Sequence, residues 1–353
     1  GCSHINHNSI TSMTIRTNQS HGSIVKSSFT APRWARNRHI QTIWPRFMQR
    51  RLPLKYIMER IKLDDGDFLD LAWGPAPQEL TGLVVMFHGL EGSMHSHYAN
   101  DMMATLSQGG WQVVMMHFRG CSGEANLTPR AYHSGETGDP AFIINLLQQR
   151  YPDTPKAAIG FSLGGNMLLK LLGEHPDSLG LKAAVAVSAP LKLDECATSV
   201  NQGFSKVYQK YLLGSMKKNL LKKMQRIDYR DILQISEADV EVIQTFWQFD
   251  NLVTAPLHGY ADAKDYYEKC SAYYFLKAIH CPTLILHALD DPFMNHLVIP
   301  PEHELAHSVT VELSETGGHV GFMQGTPTAP EVWMHQRVLR YFRDYLPTTT
   351  ESA

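Results

Sequence analysis

The stretch "AAIGFSLGGNMLLKLLGEHP", residues 157–176, decides the fold. Its first five residues read as the end of a buried strand, and "LGGNMLLKLLGEHP" reads as a helix stopped by Gly173 and Pro176. Ser162 sits at the apex between them, flanked by Gly160 and Gly164. A turn this tight brings neighbouring backbone so close that side chains two residues either side of the serine would clash. Glycine at both places removes the clash, and Gly165 lets the helix pack near the strand. The helix N-terminus also aims positive charge at the serine. G-x-S-x-G is short enough to arise by chance, so its meaning depends on the surroundings.

Working outward, strands and helices alternate. "GLVVMFHG" from Gly82 and "WQVVMMHF" from Trp111 are fully apolar strands separated by the helix "SHYANDMMATLSQGG". "GDPAFIINLLQQRYP" is a helix, and "LKAAVAVSAP" a strand after the Ser162 helix. Strands apolar on both faces that alternate with helices predict a mostly parallel sheet covered on both sides. "MERIKLDDGDFLDLAWG" predicts a hairpin turning at Asp64-Asp65-Gly66. The strand pattern breaks at Pro190 and resumes with "CPTLILHALDD" and "HSVTVELSE", before the amphipathic helix "PEVWMHQRVLRYFRDYL". The expected organisation is a flexible tail over 1–31, a sheet domain over 32–190 and 280–347, a helical cap over 191–279 and a short tail over 348–353. Within the sheet domain, "PRWARNRHIQTIWPRFMQRR" (32–51) is expected as an arm lying on its surface.

Acyl chemistry at a serine needs a base, an acid to orient it and amide donors for the oxyanion. His319 in "SETGGHVGF" follows the last core strand, on a loop freed by Gly317 and Gly318. Among 18 histidines its place in the strand order selects it. Asp290 and Asp291 follow the preceding strand. Asp291, just before Pro292, is the expected acid, and Asp290 stays open as the alternative. The Leu163 amide and the Leu90 amide in "FHGLEGS" are the expected oxyanion donors. His88 and Arg119 are read as structural.

Composition excludes other classes. A formal charge of -2 supplies no nucleic-acid footprint, and five scattered cysteines without a CxxC pair argue against a disulfide framework or zinc knuckle. No apolar run is long enough to span a bilayer, and residues 1–28 lack the apolar centre of a secretory signal. The cytoplasm is the expected compartment. "HELAH" (303–307) matches the zinc-protease signature, but Pro300 and Pro301 precede it and a strand begins near Ser308, so metal binding is not expected. The segment "SKVYQKYLLGSMKKNLLKKMQRIDYR" is strongly basic with interleaved leucines. It reads as a cap helix with solvated lysines, compatible with peripheral contact to a membrane or an acyl-CoA.

These residues resemble the α/β-hydrolase superfamily, and more narrowly its YheT-like branch of esterases and hydrolases. "HIQTIWPR", "DGDFLDLAW", "FHGLEGS", "MHFRGCSGE", "YHSGETGD", "GFSLGGNML", "HGYADAKDYY", "HALDDPFM" and "GGHVGF" carry the narrower match, from about Arg38 to the closing helix. The resemblance implies a Ser–Asp–His hydrolase with a helical cap and no metal or cofactor. The expected activity is cleavage of carboxylic esters with short-to-medium acyl chains, with cap aromatics such as Tyr208, Tyr211, Trp247, Tyr266, Tyr267 and Tyr274 walling an acyl pocket. Alternatives are an acyltransferase or thioesterase on the same triad, or a non-catalytic binding protein.

Overall fold

The computed structural model describes residues 20–48 and 52–348. Nine strands form one sheet: β1 (Ser23–Lys26), β2 (Ile57–Lys62), β3 (Phe68–Trp73), β4 (Leu83–Phe87), β5 (Gln112–Met116), β6 (Lys156–Phe161), β7 (Leu181–Val187), β8 (Thr283–Ala288) and β9 (Val309–Ser314). Their spatial order is β1-β9-β8-β7-β6-β4-β5-β3-β2. Pairing is parallel except β2 with β3 and β3 with β5. The helices are α1 (Arg38–Met48), α2 (Ala99–Gln108), α3 (Gly138–Arg150), α4 (Leu163–Glu174), α5 (Leu193–Val200), α6 (Ser205–Met224), α7 (Glu237–Glu241), α8 (Phe246–Phe249), α9 (Ala255–His258), α10 (Ala263–Cys270) and α11 (Trp333–Arg343). No helix among the described residues is long and apolar enough to cross a membrane.

The apolar strands are buried on both faces because each feeds two cores. Leu83, Val85 and Phe87 of β4 pack with Ile143, Ile144 and Leu147 of α3 and with the apolar side of α4. Their neighbours Val84 and Met86 pack with Met102, Met103 and Leu106 of α2 and with Met334, Val338 and Phe342 of α11. Each fully buried side chain of this size contributes about 1.5–3 kcal/mol. Between β7 and β8 the regular elements are all helical, and α6 to α8 enclose a separate cluster of Leu213, Leu220, Tyr229, Leu233, Val240, Ile243 and Phe249.

The order of strands positions the site. β5 lies on one side of β4 and β6 on the other, so the connections leave β4 in opposite directions and open a crevice at its C-terminal end. The loop after β4 and the turn after β6 both end there.

Three expectations change. Residues 20–31 are not a flexible tail: β1 pairs in parallel with β9, and Phe29 is buried 5.7 Å from the Phe322 ring and 5.4 Å from Trp333. An edge strand with one neighbour is held by backbone hydrogen bonds and needs no apolar alternation, so a polar sequence suffices. The rest of that expected tail, 1–19, lies outside the described residues, as do 349–353. Gly173 does not stop α4, which runs through it to Glu174. A Cβ at Gly173 would lie 2.6 Å from the Phe275 carbonyl oxygen, so this glycine allows a close approach of the chain rather than a helix end. The surface arm is instead a built-in support. α1 carries Gln41, fully buried, whose amide bonds the carbonyls of Ala35 and Met323 and the Met323 N–H.

Candidate active site

β6 ends at Phe161 and α4 begins at Leu163, leaving Ser162 alone in the turn with φ 52° and ψ -120°. That region is costly for any residue with a side chain, and the surroundings hold it there. The Ser162 N–H donates to Val187 O (2.8 Å), and its carbonyl accepts from Gly165 and Asn166. A Cβ at Gly160 would meet Gly164 O at 2.3 Å, and one at Gly164 would meet His88 O at 2.3 Å. Both glycines are therefore required by contact with backbone.

The loop after β9 brings His319 to the serine. Ser162 Oγ lies 2.8 Å from His319 Nε2, and His319 Nδ1 lies 2.8 Å from Asp291 Oδ2. A carboxylate can only accept, so the proton sits on Nδ1 and Nε2 presents its lone pair to the Ser162 hydroxyl. Asp291 is 1% exposed at its side chain, and its other oxygen accepts the Phe293 N–H at 2.9 Å. Asp290 points elsewhere. Its Oδ1 accepts the Gly318 N–H (2.9 Å), and burial pushes its carboxyl above the usual range. Of the two candidates, Asp291 is the one in contact with the imidazole.

The histidine loop is clamped from several sides. The His319 N–H donates to Thr42 Oγ1 of α1 (3.0 Å), and the Val320 N–H to Ser188 Oγ (2.9 Å). His97 Nε2 bonds Val320 O at 2.9 Å. Gly317, Gly318, Val320 and Phe322 all have positive φ, so the loop adopts a strained path that these clamps maintain. Thr42, Ser188 and His97 were not identified from sequence. Thr42 lies in the "HIQTIWPR" motif, which marked the segment without revealing its contact.

Leu163 is the first residue of α4, and its N–H lies in the unpaired first turn. Leu90 sits in the turn Gly89–Gly92, closed by Gly92 N–H to Gly89 O at 3.0 Å. A Cβ at Gly89 would lie 3.1 Å from Ser162 Cβ, so this turn passes directly against the serine. Among the described residues, neither the Leu90 nor the Leu163 N–H has a protein acceptor. His88 is fully buried: Nδ1 bonds Gly89 O (2.7 Å), Nε2 accepts the Phe118 N–H (3.0 Å), and burial pushes its pKa down to about 3. It is a neutral brace for the loop. Arg119 binds both oxygens of Asp139 (2.8 and 2.9 Å) and reaches Asp65 and Asp67, joining the β2–β3 turn to α3.

The cap approaches through Tyr208, which stacks 5.1 Å from Phe293, itself 4.1 Å from the His319 ring. The other expected pocket aromatics do not gather there. Tyr266 and Tyr267 are buried with Cys270 in the cap's own core, while Tyr211, Trp247 and Tyr274 are exposed. Two of the basic side chains are turned inward: Lys217 caps the carbonyls of Glu241 and Ile243, and Lys223 bonds Asn126 Oδ1 and Arg130 O. "HELAH" carries a single 3-10 turn, Glu302–Glu304, which cannot set His303 and His307 on one α-helical face. Among the described residues no cluster of three or more His, Cys, Asp or Glu side chains is placed to hold a metal ion.

Residues 82–326 match the model of a family described as the alpha/beta hydrolase fold. The chain is 45% identical to an Escherichia coli (strain K12) protein named "Putative esterase YheT", over 91% of this chain and 94% of that one. It is 30% identical to a monoacylglycerol lipase of Saccharomyces cerevisiae, over 69% of this chain and 55% of the yeast one. The Pyrococcus furiosus esterase Pf2001 shares the fold, with a TM-score of 0.53 at 15% identity over 83% of this chain and 94% of that chain. Such relatives support ester hydrolysis in general terms. The chain belongs to the α/β-hydrolase fold family, in its YheT-like branch.

Proposed function

We propose that this protein is a serine hydrolase that cleaves carboxylic esters through an acyl-enzyme. The observation that carries the reading is the unbroken relay Ser162–His319–Asp291, with 2.8 Å at both links. Ser162 Oγ attacks the ester carbonyl carbon while His319 Nε2 takes its proton. Asp291 keeps the imidazole in the Nδ1–H tautomer and stabilises its positive charge. The Leu90 and Leu163 amides receive the oxyanion, each donor lowering the barrier by about 3 kcal/mol. His319 then protonates the leaving alcohol, and the acyl group stays on Ser162. Water, deprotonated by the same imidazole, releases the acid.

Short-to-medium acyl chains are the proposed substrates, held between the Leu90 turn and the Tyr208–Phe293 stack, and the lipase and esterase relatives support an acyl ester over a peptide. An alcohol or thiol replacing water would turn the same steps into acyl transfer. Phe204, Val207 and Tyr211 are exposed at the start of α6 beside Lys206 and Lys210, which suits peripheral contact with an anionic lipid surface. The test is a p-nitrophenyl ester series from acetate to dodecanoate with rapid-mixing kinetics. A burst of nitrophenol stoichiometric with enzyme, lost in Ser162→Ala, is expected. Equal turnover in Ser162→Ala would refute the reading.

A further inference from the structure

Glu91 follows Leu90 in the turn beside Ser162, and it occupies a place where glutamate is the wrong local choice. Its φ is +55°, in the left-handed region that glycine fills without strain. The residue is nonetheless bound from every polar atom of its side chain. Its N–H donates to Tyr132 Oη (2.7 Å), and the Tyr132 hydroxyl donates back to Glu91 Oε1 (2.6 Å). Oε2 accepts from Ser215 Oγ and from Asn219 Nδ2, each at 2.8 Å. Ser215 and Asn219 are four apart on α6, so one face of the cap helix grips one carboxylate oxygen. Tyr132 is itself fixed, stacked on Phe118 with ring centroids 5.3 Å apart.

We propose that Glu91 is a positioning residue that couples the seating of the cap helix to the oxyanion site. The inference rests on Leu90 being an oxyanion donor, as in the proposed mechanism. While α6 is seated, its two donors retain the carboxylate and the turn keeps its strained shape with the Leu90 N–H beside Ser162. When α6 lifts, Oε2 loses both of its donors, only the Tyr132 contacts still hold Glu91, the strained turn relaxes, and the amide leaves its aim. The oxyanion site is then complete only under a closed cap, which makes catalysis conditional on the cap settling over its substrate.

Glu91→Gly is the discriminating variant, because it removes the tether while relieving the backbone strain. The expected result is a folded protein with an unchanged or higher Tm and kcat reduced about 10- to 100-fold, with KM changed less than about threefold. That is milder than the roughly 10²- to 10³-fold cost of deleting an oxyanion donor outright. Glu91→Gln, which keeps one acceptor oxygen, should recover most of kcat. Ser215→Ala/Asn219→Ala should reproduce the kcat loss from the cap side and add nothing further in the Glu91→Gly background. Wild-type kcat in Glu91→Gly, or fully multiplicative losses in the combined variant, would overturn the coupling. An inert wild-type enzyme that also fails to label at Ser162 would overturn the hydrolase reading itself, and this inference with it.

Discussion

Gly164→Ala tests whether the serine turn is as tightly set as its geometry requires. The added Cβ would lie 2.3 Å from His88 O and 2.7 Å from Phe87 O, whereas ordinary contact begins near 3.4 Å. Both clashing atoms are backbone at the end of β4, so neither can rotate away. The first turn of α4 must move from β4 by about 1 Å, carrying Ser162 away from the Leu90 turn and from His319. A displacement of that size at the reacting atoms costs on the order of 10²-fold in rate. The overpacking itself should cost about 1–3 kcal/mol of stability. Steady-state hydrolysis of p-nitrophenyl butyrate and urea unfolding read the two effects. Gly214→Ala is the control: it lies on the cap helix with nothing within 4 Å of its added Cβ, and should leave kcat unchanged while gaining up to about 1 kcal/mol. Full activity and stability in Gly164→Ala would mean the turn is loose, and the steric argument for the glycines would fail.

Other consequences follow from the same contacts. Asp291→Asn should lower kcat by on the order of 10⁴-fold, because an amide NH₂ facing Nδ1 favours the wrong tautomer; Asp290→Asn, which can still accept from Gly318, should lower it less than about tenfold. Equal losses in the two variants would leave the acid unassigned. Arg119→Met strands Asp65, Asp67 and Asp139 and should cost about 3–5 kcal/mol in urea unfolding with little change in KM. Asp250 is half-buried; among the described residues the Tyr267 and Thr254 hydroxyls donate to it, and desolvation pushes its pKa up to about 6. The folded state therefore holds this proton more tightly than the unfolded chain, whose carboxyl titrates near 3.8. The associated stability is fully present below pH 3.8 and is lost as pH rises to about 6. Asp250→Asn should flatten that slope in melts taken from pH 4 to 7; a wild-type slope unchanged by the substitution would remove Asp250 as its source.

Much of the candidate site is legible in the sequence because its constraints are local. Gly160, Ser162 and Gly164 are set by one turn, and alternating apolar strands and helices set the order in which Asp291 and His319 arrive. The choice between Asp290 and Asp291 was not local: adjacent side chains point apart, and only the folded loop decides which meets the imidazole. The clamps on His319 were hidden for the same reason. Thr42 lies 277 residues from His319 and Ser188 132 from Val320, and a lone threonine or serine carries no periodic signal. β1 escaped because an edge strand needs only backbone pairing with β9. Glu91 was in plain view inside "FHGLEGS", yet nothing in the sequence tells that its φ is positive or that a cap helix would reach it.

The most direct test of the central claim is labelling with a fluorophosphonate probe, which captures an activated serine, followed by peptide mapping. The account predicts a single adduct on Ser162, abolished in Ser162→Ala and reduced to a trace in His319→Ala, with all three proteins folded. An adduct on another serine, or undiminished labelling of His319→Ala, would contradict it.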